Sequence, residues 1–486
     1  MLTLILFLLP LISGLFLVWN KSTGLARTTA VLVSLAQLAL FIYIGSVFRT
    51  DASSLDYSRS WLSEFNVSFH LGFDGLSLLL TGLTVVVSGL ILLATKDLNY
   101  DNISRLLGLI LITQAALIGV FTAKDAFVFY FFFEIALVPV YLMANLWGGG
   151  GISRITLKMF IYTVFGSLFM LISFVVLYLF AQSSDLGELA KISPLLKPGL
   201  NHLLFWGFLI AFAIKSPLFP FHGWLPDAYS QSPTPATMLL SGLLSKMGIY
   251  GILRILVPLA PAGTEHFSGL VIYFAIVGLI YGSIIAIQQF HIKRLIAYSS
   301  MAHMGLMGAA ALTLSSSGIQ GAAFQMVAHG FSAVGLFYVA KIIYDKTGSR
   351  SLADLGGMSQ RAPRLAVLFL IILLGSVGLP LTNGFVGEFL MLRSVFDFQN
   401  ILGNRSRQQH HPGCCIPAEI ISENHVRAGD PPHREYRGHW YERAYCPCSH
   451  CFNHHHHRSV SKLPAGAKPG FYRYTDKISH PICIQL

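Results

Sequence analysis

Two lysines stand where lysine is costly. Lys215 closes the run LLFWGFLIAFAIK, and Lys246 lies inside MLLSGLLSKMGIYGIL. An ammonium in a membrane-length apolar run faces a protein interior or a water-filled path, and by default it marks ion or proton traffic. Between the two the chain reads SPLFPFHGWLPDAYSQSPTP, with Pro217, Pro220, Pro226, Pro233 and Pro235. Proline removes a backbone donor and opens a helix. The freed carbonyls and a nearby ammonium then line a hydrated spot, since irregular backbone at membrane depth needs protein or water to satisfy it. Proline-interrupted apolar segments of this kind point to a transporter core.

Four more residues have the right chemistry. Glu134 sits in FVFYFFFEIALVPVYL, ahead of Pro139. A carboxylate near a buried lysine stabilises the charged amine, and moving it away lets the proton leave. Glu134 and Lys215 would make such a switch. The bland readings are a glutamate that serves packing and a lysine that snorkels from a helix end. His303 (SSMAHMG) and His329 (MVAHGFSAVG) fall on consecutive apolar segments. Histidine titrates near neutral pH, so two in a row suit a relay, although a lone one is often a hydrogen-bonded core residue. Glu388 lies in GLPLTNGFVGEFLML, where Gly378, Pro380, Gly384 and Gly387 mark a second broken helix. His222 and Asp227 read as structural residues of the first break. Asp74 in LGFDGLSLLL reads as an interfacial helix cap.

The elements that must hold these groups follow from composition. The chain is 54% hydrophobic and 11% charged, with mean hydropathy +0.63. A soluble domain carries about 25% charge, so this is an all-α polytopic membrane protein. The excess of 33 Lys and Arg over 22 Asp and Glu belongs to loop topology and does not indicate nucleic-acid binding. About 20 apolar residues span a bilayer. That rule places helices near 2–19, 28–48, 75–95, 105–122, 126–146, 158–181, 203–219, 237–257, 270–288, 295–314 and 319–343. A twelfth covers 364–400, interrupted near Gly378–Gly387. The first has no basic lead or cleavage site and reads as an uncleaved span. Loops after odd-numbered helices hold Lys21, Arg27, Lys96, Arg105, Arg154, Lys158, Lys293, Arg294, Lys346, Arg350, Arg361 and Arg364, which puts the N-terminus outside.

Composition changes abruptly near residue 400. All six cysteines, 11 of 18 histidines and 8 of 21 prolines follow it. No apolar run of membrane length survives there. We expect residues 401–486 to be disordered or read out of frame, from a slip near Asn400. Isoleucine codons ATC read in another frame give CAT, histidine, which would explain His454–His457. The same tail offers Cys446, Cys448 and Cys451 as zinc-type ligands, but C-x-C-x-x-C has no second pair at finger spacing.

The stretch Phe212–Ile255, with Glu134, His303, His329 and Glu388, resembles the antiporter-like, proton-pumping membrane subunits of respiratory complex I. The resemblance runs over roughly residues 1–400. It implies an antiporter-like bundle with inverted repeats and two broken helices. Residues 1–124 are then N-terminal helices and 125–400 the translocating core. It implies a proton path of Glu134, Lys215, Lys246, His303, His329 and Glu388, with Lys246 as the central-axis lysine. It implies that a glutamate at position 388 marks one branch of the family, since related chains carry lysine at that place. It also implies no metal or cofactor in this chain, with NADH, FMN, iron–sulfur clusters and quinone on other subunits. The partners would be neighbouring antiporter-like chains and lipid, in a bacterial inner membrane. A subunit of a cation/proton antiporter, or a hydrogenase arm, shares the same core motifs and stays open.

Overall fold

The computed structural model describes residues 1–95 and 100–398. Among them, eleven helices are long and apolar enough to cross a membrane. In chain order these begin with α1 (Leu2–Trp19), α2 (Thr23–Thr50), α3 (Gly75–Ala94), α4 (Ile103–Thr122), α5 (Ala126–Trp147) and α6 (Ile152–Ala181). A short helix α7 (Leu186–Ile192) precedes α8 (Pro198–Lys215), and a half-helix α9 (Leu225–Gln231) follows the first break. Then come α10 (Thr234–Leu259), α11 (Pro261–Ile287), α12 (Ile292–Leu312) and α13 (Ser316–Thr347). The single-turn α14 (Met358–Arg361), α15 (Pro363–Ser376) and α16 (Asn383–Phe398) complete the described chain.

Every span expected from hydropathy is present, and the differences lie at the breaks. The segment expected at 203–219 ends at Lys215, because Pro217 disfavours helix in the residue before it. The segment expected at 126–146 is kinked at Ala136, three residues before Pro139. The second break is shorter than the glycines suggested: helix resumes at Asn383, so Gly384 and Gly387 are helical. Two strands, β1 (Tyr57–Leu62) and β2 (Val67–Leu71), form an antiparallel hairpin between α2 and α3. The hydropathy reading had no place for them. The expected slip near Asn400 and the cysteine-rich tail lie outside the described residues.

Close packing comes from small residues, as membrane helices without a hydrophobic drive between them require. Gly14 and Gly108 bring α1 against α4, and a Cβ on either would come within 2.8 Å of the other's backbone. Gly242 and Gly330 face each other across α10 and α13. The helices α10, α12 and α4 are the most buried spans and form the centre of the bundle.

Candidate functional site

The first broken helix delivers Lys215. With Pro217 stopping the helix, the Lys215 ammonium turns to α5, where Nζ donates to the Phe133 carbonyl at 3.3 Å. It also lies over the Phe133 ring, 4.5 Å from the centroid, a cation–π contact. Lys215 is buried. The carbonyl it uses is one residue short of Glu134, whose Oε1 is buried with no hydrogen-bond partner among the described residues. The expected Glu134–Lys215 pair is not formed among the described residues: the amine is held by the Phe133 backbone and ring, next in the chain to Glu134.

The half-helix α9 after the break is pinned from several directions. Trp224 Nε1 donates back across the break to the Ile214 carbonyl at 3.1 Å. Lys158 Nζ donates to the Gly223 carbonyl at 2.7 Å, and Lys293 Nζ to the Ser232 carbonyl at 2.9 Å. Arg294 pairs with Asp227 at 3.4 Å. That pair ties the half-helix to α12, as a structural reading of Asp227 requires. Lys158 and Lys293 are residues the sequence reading missed in this role, since it counted them only as topology charges. His222 stacks on Phe219, 5.5 Å between rings, with Nδ1 unpartnered.

Lys246 lies at the middle of α10, fully buried. Two π-helical turns flank it, at Leu240–Leu244 and Ile252–Leu256. Such insertions recur at functional sites because they turn a side chain off the regular helical row. The Lys246 ammonium donates to the Ser241 carbonyl, to Ser245 Oγ at 3.3 Å and to His329 Nδ1 at 2.8 Å. An ammonium offers only donors, so Nδ1 accepts and the neutral ring carries its proton on Nε2. The His303 ring is 5.3 Å from that of His329. His303 Nδ1 in turn meets Glu388 Oε1 at 3.3 Å, and Gln325 Nε2 donates to the same oxygen at 3.3 Å. Lys246, His329, His303 and Glu388 therefore touch in series, each from a different helix.

The break that carries Lys215 packs directly on α10. A Cβ on Gly248 would sit 1.9 Å from Ser216 Oγ and 2.5 Å from the Phe212 carbonyl. So α10 lies hard against the break two residues beyond Lys246. The Ser216 hydroxyl is buried without a partner among the described residues, the kind of group that water satisfies. At the opposite end Asp74 caps α3 through a capping box with Ser77, as expected. It also pairs with Arg254 at 3.1 Å.

A bundle with titratable groups in series across it and a broken helix at each end is the architecture of an antiporter-like membrane translocator. The chain belongs to the family described as "NADH:quinone oxidoreductase/Mrp antiporter, TM", which matches residues 123–404. It is 36% identical over 397 residues to NADH-quinone oxidoreductase subunit M of Rickettsia bellii, covering 80% of each chain. It is 37% identical over 410 residues to F(420)H(2) dehydrogenase subunit M of Methanosarcina mazei, covering 82% of each. Among solved structures, a chain of respiratory complex I from Thermus thermophilus with bound NADH superposes with a TM-score of 0.81. It shares 30% identity and aligns over 90% of this chain and 91% of that one.

Proposed function

We propose that the chain is a proton-pumping membrane subunit of a NADH-quinone oxidoreductase, in the place that subunit M takes in its bacterial relatives. The observation that carries this reading is the unbroken contact series Lys246–His329–His303–Glu388, beside the break at Lys215. Each member can hold or release a proton, and each lies within reach of the next. In this reading electron transfer occurs in other subunits, which hold NADH, FMN, iron–sulfur clusters and quinone. Change arriving through neighbouring antiporter-like chains moves Glu134 relative to Lys215. Withdrawal of the carboxylate releases the Lys215 proton towards Lys246. The proton then passes His329 and His303 to Glu388 and leaves on the hairpin face, which is the outer side of a bacterial inner membrane.

A second reading, a cation/proton antiporter subunit without redox coupling, is favoured by the family's inclusion of Mrp antiporters. The archaeal relative shows that close similarity does not fix the electron donor. Genes adjacent to this one separate the readings. Dehydrogenase subunits support the first and small antiporter subunits the second.

In membranes holding the assembled complex, Lys215→Ala and Glu134→Ala each sharply reduce proton uptake per electron pair. Normal pumping in both variants would sink the assignment.

A further inference from the structure

Of the buried polar groups outside the row just described that have no partner among the described residues, four stand on three neighbouring helices. They are Thr81 and Ser88 on α3, Gln114 on α4 and Ser241 on α10, each 1% exposed or less. The Thr81, Ser88 and Ser241 hydroxyls, and both polar atoms of the Gln114 amide, accept and donate nothing among the described residues. Their neighbours behave differently. Thr84 bonds the Leu80 carbonyl and Thr113 the Leu109 carbonyl, the usual way a membrane helix satisfies a hydroxyl. A buried polar atom left bare costs free energy, and water is the common remedy where several such atoms converge.

They do converge. On α3, Gly82 and Gly89 lie against Phe41 and Ser34 of α2. Thr81 and Ser88 each stand one residue away, about 100° round the helix, so they turn from α2 into the bundle. The contacts Asp74–Arg254 and Val87–Gly242 fix α3 antiparallel to α10. That register sets Ser88 level with Ser241 and Thr81 close to the level of Lys246. On α4, Phe121 packs on Tyr250 of α10, 5.2 Å between rings, and its carbonyl accepts from the Tyr250 hydroxyl. Gln114 lies on the same face of α4, two turns back. It therefore looks onto α10 two turns before Tyr250, beside Ser241. Ser241 is the residue whose carbonyl holds the Lys246 ammonium.

We propose that α3, α4 and α10 enclose a hydrated seam, a water-binding site that passes Lys246 and gives it a second connection to the hairpin face. The seam runs from Ser88, Gln114 and Ser241 past Lys246 to Thr81, then one turn on to Ser77 and the half-exposed Asp74–Arg254 pair. It rests on the proton-pumping reading for its use, though not for its water. In use, the Lys246 ammonium turns one N–H from Ser245 Oγ, at 3.3 Å, to a seam water, gives up that proton and becomes the neutral amine. Each water oxygen accepts one proton and hands on another, and one proton leaves beside Asp74. Protons thereby reach the outer side without crossing Glu388.

The test is a map of the native membrane complex fine enough to place ordered water. The expected result is water within hydrogen-bonding distance of Thr81 Oγ1, Ser88 Oγ and the Gln114 amide. A dry seam overturns the proposal. The double variant Thr81→Val with Ser88→Ala, close in shape but apolar, loses those waters and lowers the protons moved per electron pair. Thr84→Val, whose hydroxyl is already satisfied within its own helix, changes neither. Equal effects from both variants would mark a packing defect and also overturn it. Should Lys215→Ala and Glu134→Ala both pump normally while the seam holds water, the pumping assignment fails and the site stands.

Discussion

Glu388 occupies its place because residue 378 has no side chain. Gly378 has φ +64°, and a Cβ there would sit 2.1 Å from Glu388 Oε2. Gly378→Ala therefore adds a clash to the strain of a left-handed alanine, which alone costs about 1–2 kcal/mol. Gly348 has φ +70° with open space around it, so Gly348→Ala carries the strain alone. Both variants are expected to lower the apparent melting temperature in detergent. Only Gly378→Ala is expected to cut proton pumping as well, because it pushes the carboxylate off His303. Individual charged residues were legible in the sequence, since a charge in an apolar run stands out without knowledge of its partner. The Lys246–His329 contact was not, because its members are 83 residues apart. Nor were Thr81 and Ser88, because hydroxyls are ordinary in membrane helices and only their missing partners set these apart.

At the scale of elements, the outer loops are held by small electrostatic devices. Asp185 caps α7 by accepting from Gly187 and Glu188, and it meets His70 of β2 at 3.3 Å. The His70 bond, with help from those amides and against partial burial, holds its carboxyl below the usual range. A lowered folded value means that the stabilisation is present above the unfolded value of about 3.9 and is lost as pH falls through the folded one. Amide exchange in α7, corrected for its intrinsic pH dependence, is expected to stay flat down to about pH 4 and to rise below it. In Asp185→Asn the acid step is expected to vanish. Spans were readable from hydropathy because length and apolarity alone decide them. The hairpin was not: β1 reads YSRSWL, mostly exposed, with little apolar face to show a period. The π turns around Lys246 were equally hidden, since each shifts the phase of a 3.6-residue pattern by one residue within a single helix.

Over the whole molecule, the sequence pointed to the bundle and its two breaks, while assembly of the groups into a row depended on packing between distant glycines such as Gly242 and Gly330. The coding frame near Asn400 carries a prediction at this scale. Sequencing across codons 390–410 and translating all three frames is expected to show, in one alternative frame, two further apolar runs of about 20 residues. If no frame is apolar, the cysteine- and histidine-rich tail is the protein's own and the frame-slip reading falls. The row itself has an electrical consequence. Lys246, His303 and His329 all lie near the middle of their helices and touch side by side, so the series runs across the bundle, in the plane of the membrane. On the proposed path, transfer along it moves charge through almost none of the transmembrane voltage, which is worth about 2.3 kcal/mol per charge per 100 mV over the full thickness. That electrical work falls on the entry and exit steps, so a rising membrane potential slows filling and emptying of the row and leaves its internal transfers unchanged.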